Sequence, residues 1–205
     1  MIETIFAIPM TNYIFDNKKL NDKLIKFTMN MKKTVKSNII SNEGGWQSPS
    51  VDLSTPVVSE FLNYIFPKIQ EHVKEYKVKY TQNVTIQNMW FNVNGPNDYN
   101  RHHHHMHDAL DFVGVYYMKV PKNSGYIQLM NPDISCGASN IFHLDREDNI
   151  FNRQSVRVDP VDGLLLLFPA GIIHAVTRNN SKLNRLSLSF NIKVFLKSSL
   201  LGSLS

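Results

Sequence analysis

From residue 84 onward the chain is written in short runs rich in β-branched and aromatic residues: 84–93, 112–120, 126–130, 155–158, 164–168 and 186–195. Clusters of turn formers separate some of them, among them Asn94-Gly95-Pro96-Asn97-Asp98, Pro121-Lys122-Asn123-Ser124-Gly125 and Asp159-Pro160-Val161-Asp162-Gly163. Gly, Pro and Asn bend the backbone at low cost, so each cluster ends one strand and starts the next. No helical periodicity lies between the runs. Parallel strands need long crossovers, so this order restricts the segment to a sandwich, barrel or jelly roll. Residues 131–154 are polar and irregular and read as a long loop.

The first 80 residues have a different texture. Asp16 is placed to cap a helix from residue 17 to about 36, in which Leu20, Leu24, Phe27 and Met31 fall on one face. Thr55-Pro56 starts a second, since proline is tolerated in a first turn. Val58, Phe61, Leu62, Ile65, Ile69 and Val73 form its buried stripe, and Pro67 is expected to kink it. Between the helices, Glu43-Gly44-Gly45-Trp46-Gln47-Ser48-Pro49 is a loop whose Trp46 either packs or lines a pocket. The expected organisation is a single domain over 1–205, with 1–80 as helical support and 84–196 as the β core.

Composition removes several functions. The longest apolar run, Leu164 to Phe168, is far shorter than the ~18 residues that span a bilayer, so no membrane is expected. The single Cys136 forms no internal disulfide, consistent with a reduced cytoplasmic protein. Much of the net charge of +5 lies between Lys18 and Lys36, at the spacing of a solvated helix face. No basic motif with interleaved aromatics accompanies it, so nucleic acid is not an expected partner.

Chemistry is concentrated in Arg101-His102-His103-His104-His105-Met106-His107, which holds five of the eight histidines. Alternate residues of an extended chain share a face, so His103, His105 and His107 form one set and His102 and His104 the other. Neutral imidazole is the commonest protein metal ligand. His174 follows 67 residues after His107, in Phe168-Pro169-Ala170-Gly171-Ile172-Ile173-His174, placed as a ligand at a strand start. Three protein ligands on one side of a metal leave positions for substrate and O2, the arrangement of non-haem Fe(II) oxygenases. Those sites usually include a carboxylate, and none lies two residues after any histidine of the tract. Asp108 and Asp111 are near enough to be considered. His143-Leu144-Asp145 is a rival ligand pair, but only 29 residues separate Asp145 from His174, few for several intervening strands with turns. Arg185-Leu186-Ser187 lies eleven residues past His174. A guanidinium grips a carboxylate through two parallel hydrogen bonds, and Ser187, on the same strand face, can add a third.

The pattern resembles the 2-oxoglutarate/Fe(II)-dependent oxygenases, in particular a family of bacteria and tailed phages. The likeness runs from about Gly44 to Asn191. It is carried by Gly44-Gly45-Trp46-Gln47-Ser48, Met89-Trp90-Phe91-Asn92, His105-Met106-His107, Gly114 through Pro121, Asn131-Pro132, Gly163 through His174, and Arg185-Leu186-Ser187-Leu188-Ser189-Phe190-Asn191. The resemblance implies a double-stranded β-helix of jelly-roll or cupin-like form, mainly β with N-terminal helices. It implies Fe(II) held by His105, His107 and His174, with 2-oxoglutarate as co-substrate and O2 consumed. Arg185, Ser187, Tyr117 and Asn191 would bind the co-substrate. The reaction would be a hydroxylase-type oxidation with decarboxylation of 2-oxoglutarate to succinate.

Counting back from Gly114 favours the pair His105/His107, and counting forward from Asn100 favours His103/His105. Two other functions share this barrel. Gly163-x5-Pro169-x-Gly171-x2-His174 is similar to a cupin motif, and a non-catalytic module stabilised by metal needs only the histidines. Arg185 and Ser187 discriminate, since neither alternative uses them. The prime substrate, a small molecule or a peptide, is not spelled by loop side chains.

Overall fold

The computed structural model describes residues 7–77, 82–106, 109–133 and 149–196. Within them the chain forms two helices and eleven strands. In order these are β1 (Thr11–Ile14), α1 (Lys18–Thr34), β2 (Asn42–Glu43), β3 (Trp46–Gln47), α2 (Pro56–Glu75), β4 (Gln82–Asn94), β5 (Tyr99–His103), β6 (Phe112–Lys119), β7 (Ile127–Met130), β8 (Ser155–Val158), β9 (Leu164–Pro169), β10 (His174–Val176) and β11 (Arg185–Leu196). Two antiparallel sheets result. The larger has the order β1-β9-β6-β11-β4-β3 and the smaller β2-β5-β10-β7-β8. This is the mainly β, two-sheet barrel with N-terminal helices that the sequence implied.

Side-chain alternation explains why the helices sit where they do. Met89, Phe91 and Val93 of β4, Leu186, Leu188, Phe190 and Ile192 of β11, and Leu165 and Leu167 of β9 point outward, and are packed with Leu20 and Leu24 of α1 and with Val58, Phe61, Ile65 and Ile69 of α2. A second cluster lies between the sheets, with Val113 and Val115 of β6, Leu164, Leu166 and Phe168 of β9, Ile127 and Leu129 of β7. A strand buried on both faces has no polar side to show, which is why β9 reads as an unbroken apolar run.

Particular expectations shift. The cap of α1 is Asn17, not Asp16: the Asn17 side chain accepts from the Leu20 backbone N–H at 3.1 Å. The helix ends at Thr34, two residues early. The second helix, α2, contains Pro67 and runs on to Glu75. The N-terminal segment adds strands to both sheets, β1 beside β9, β3 beside β4 and β2 beside β5. Trp46 packs in the outer core, its indole N–H donating to the Val35 carbonyl at 2.9 Å. Among the described residues no helix is long and apolar enough to cross a membrane.

Candidate metal and co-substrate site

One cavity of about 480 Å³ opens between the sheets. Its floor is the inward face of β4 and β11. Asn88, Trp90, Asn92 and Asn94 alternate along β4, and Arg185, Ser187, Ser189 and Asn191 along β11, and all eight line the cavity. The ladder register sets Asn94 opposite Arg185, Asn92 opposite Ser187, Trp90 opposite Ser189 and Asn88 opposite Asn191. Directly opposed residues of an antiparallel pair share a face. Gln47 opposes Asn92 and Tyr117 opposes Ser187. One row of polar side chains, Gln47-Asn92-Ser187-Tyr117, therefore crosses the sheet at right angles to the strands.

The histidines come from the smaller sheet. His103 ends β5, His174 begins β10, and the two are directly paired. Their rings lie 4.2 Å apart between centroids. His105 follows β5, and its backbone N–H donates to the Ala170 carbonyl at 2.8 Å, which ties the tract to the turn before β10. The His105 ring is 5.2 Å from each of the other two. One nitrogen from each of His103, His105 and His174 falls within 4.8 Å of the others.

The protons are arranged for ligation. His103 Nδ1 contacts the Arg101 carbonyl at 2.7 Å, His105 Nδ1 the Asn191 Oδ1 at 2.6 Å, and His174 Nδ1 the Ile172 carbonyl at 2.9 Å. These oxygens only accept, so each Nδ1 is the donor and each Nε2 carries the lone pair. Burial and the neighbouring imidazoles favour the neutral form of His103 and His174. Burial, then His103, holds the pKa of His174 down to about 3, and burial also lowers that of His103. Trp90 stacks on His105 with centroids 5.8 Å apart and planes at 22°.

At the other end of the floor Arg185 is 1% exposed. Its Nη1 donates to the Ser124 and Thr177 carbonyls. Its Nη2 and the Tyr117 hydroxyl are buried with no hydrogen-bond partner among the described residues. Burial pushes Tyr117 up to about 12, so the phenol is protonated and available to donate. An unmatched buried donor costs roughly 1–3 kcal/mol, more for a charged group. Two such donors facing one cavity beside Ser187 fit the carboxylate of a bound acid, and three Nε2 lone pairs fit a divalent metal.

The structure therefore brings together His105, His174, Arg185, Ser187, Tyr117 and Asn191, with Asn191 set against His105. His103 joins them, as counting forward from Asn100 predicts. His107, Asp108, His143 and Asp145 lie outside the described residues. Asp111 is turned elsewhere, accepting from the Val194 backbone N–H at 2.7 Å. Sequence reasoning missed Gln47, Asn88 and Asn92. The strict alternation of Asn88-Met89-Trp90-Phe91-Asn92-Val93-Asn94 was the available signal.

Comparison with known proteins agrees with this geometry. A family model described as "Putative 2OG-Fe(II) oxygenase" matches residues 88–191, just over half of the 205-residue chain. No protein of curated function matches the sequence. Among solved structures, a prolyl-4-hydroxylase from Pseudomonas putida is similar at 15% identity, covering 90% of this chain and 91% of that one, with a TM-score of 0.65. The viral collagen prolyl hydroxylase of Paramecium bursaria Chlorella virus-1, a complex with 2-oxoglutarate, is similar at 14% identity, covering 89% and 94%, with a TM-score of 0.57. HygX from Streptomyces hygroscopicus, with nickel and 2-oxoglutarate bound, is similar at 10% identity, covering 89% and 82%, with a TM-score of 0.58.

Proposed function

This chain belongs to the 2-oxoglutarate/Fe(II) oxygenase family, and from that premise we propose that His103, His105 and His174 hold the iron while Arg185, Tyr117 and Ser187 hold the distal carboxylate of 2-oxoglutarate. The enzyme is a 2-oxoglutarate/Fe(II)-dependent oxygenase. Bound together, metal and co-substrate supply the oxidising chemistry, consuming O2 and converting 2-oxoglutarate to succinate and CO2. The chain's own residues orient and exclude. Arg185 Nη2 and Tyr117 Oη fix one end of the dicarboxylate, which leaves its oxo-acid end to face the histidines. The apolar cluster behind the cavity keeps water from that side. A small molecule or peptide then lies over the side of the floor formed by Gln47, Asn92 and Asn88. Its side chains are amides, which favour an uncharged polar substrate.

The observation that carries this reading is the pair of buried donors without a partner among the described residues, Arg185 Nη2 and Tyr117 Oη, in the same cavity as three convergent imidazoles. A cupin or a metal-stabilised structural module has no use for that pair. We also propose a reducing cytoplasmic setting, that of the host for a phage-encoded chain, supported by the lone Cys136 and by the need to keep iron ferrous. The test is an anaerobic titration of the protein with Fe(II) and 2-oxoglutarate. A weak visible charge-transfer band that needs both components is expected, and its absence with both in excess overturns the assignment.

A further inference from the structure

Asn191 holds two neighbours at once. Its Oδ1 accepts from His105 Nδ1 at 2.6 Å, and its Nδ2 donates to Asn88 Oδ1 at 2.8 Å. It is 6% exposed and sits opposite Asn88 in the β4–β11 ladder. A register shift follows it immediately, between Asn191 and Ile192.

We propose that Asn191, itself held by Asn88, is a positioning residue that fixes His105 as the Nδ1-protonated tautomer and commits its Nε2 to the metal. This inference rests on the reading of His105 as a ligand. A neutral imidazole has one N–H and one lone pair, and only the lone pair binds metal. The amide oxygen of Asn191 can only accept, so it stabilises the proton on Nδ1 and leaves Nε2 bare. His103 and His174 are held in the same state by the backbone carbonyls of Arg101 and Ile172, which no side-chain substitution removes. His105 differs in depending on a side chain for its Nδ1 partner. The Asn88 Oδ1 accepts from the other end of the Asn191 amide, which suits the orientation with Oδ1 toward the ring. Outer partners of this kind are worth about 10- to 100-fold in metal affinity.

Two measurements on the full chain decide the matter. The first is the long-range ¹H–¹⁵N spectrum of the histidines in metal-free protein at mildly alkaline pH, where His105 should appear as the Nδ1–H tautomer. The second is Mn(II) affinity, read by the loss of the free-ion electron paramagnetic resonance signal. Asn191→Leu should weaken Mn(II) by about 10- to 100-fold and move His105 toward the Nε2–H tautomer. Asn191→Asp, which keeps an acceptor, should restore both, and Asn88→Ala should show a smaller loss in the same direction. A wild-type His105 that is mostly Nε2–H overturns the proposal. So does a folded Asn191→Leu variant that binds Mn(II) as tightly as wild type. If Asn191→Leu does not fold, the wild-type spectrum and Asn191→Asp still give the answer. If the wild type binds no metal, the oxygenase reading fails while the spectrum still reports on Asn191.

Discussion

A guanidinium that is 1% exposed, with Nη2 unpartnered among the described residues, is a destabilising element of the ligand-free protein that a bound carboxylate would relieve. Arg185→Ala should weaken 2-oxoglutarate binding by more than about 1.5 kcal/mol, the low end for a charge-assisted hydrogen bond, as measured by calorimetry on the Mn(II)-loaded protein. Arg185→Met should abolish that binding, and it also removes the Nη1 donor from the Ser124 and Thr177 carbonyls. The histidines separate by register. His103→Ala should remove tight metal binding and His107→Ala should leave it nearly intact, and the reverse outcome would move the site two residues along the tract. The metal-free protein should also be acid-sensitive. His174 titrates near the ordinary histidine value of 6.5 when unfolded but only at about 3 when folded. As pH falls below 6.5 the unfolded chain takes up the proton first, so stability is lost by up to ~1.4 kcal/mol per pH unit between those limits. Urea titrations at several pH values should show that slope, and His174→Gln should reduce it.

Among the elements, β4 and β11 carried a legible message of which only half was read. Their apolar members marked strands, and the observed spans, Gln82–Asn94 and Arg185–Leu196, extend the expected ones by a residue or two at each end. The polar members of the same alternation marked the cavity floor. In β4 the apolar positions run 84 and 86, then 89, 91 and 93, a change of parity that coincides with the register shift opposite Asn191 and Ile192. Single-strand signals do not reveal which strand a β-bulge faces, so this parity change acquired meaning only with the partner in place. The two-residue strands β2 and β3 and the three-residue β10 are too short for any period to register, and β5 is composed of tyrosine, asparagine, arginine and histidine, residues without strong strand preference except tyrosine. The side-chain arrangement at Gly114 gives a test of this sheet. Gly114 opposes Phe190, and a Cβ there would lie 2.1 Å from the Phe190 ring. Gly114→Ala should therefore cost about 1–3 kcal/mol, as overpacking does, seen as a lowered midpoint of denaturant unfolding.

Over the whole molecule, the proposed metal ligands and the proposed carboxylate-binding residues belong to different sheets. His103 and His174 sit in the smaller one, and Arg185, Tyr117 and Ser187 in the larger. A dicarboxylate bound to both would tie the sheets across the cavity. Mn(II) alone should raise the melting temperature, and 2-oxoglutarate should raise it further only when metal is present; a ligand at 100 times its Kd contributes about 2.7 kcal/mol. A metal with a purely structural role would give the first shift without the second, so one thermal-melt series distinguishes these functions. The separation of faces on β4 and β11 also bears on how such a chain diversifies. Met89, Phe91 and Leu188 belong to the core shared with the helices, while Asn92 and Ser189 line the cavity and hydrogen-bond each other. Mutational drift can re-letter the inner set for a new molecule without disturbing the outer one, so descendants of this scaffold are free to change diet while keeping their skeleton.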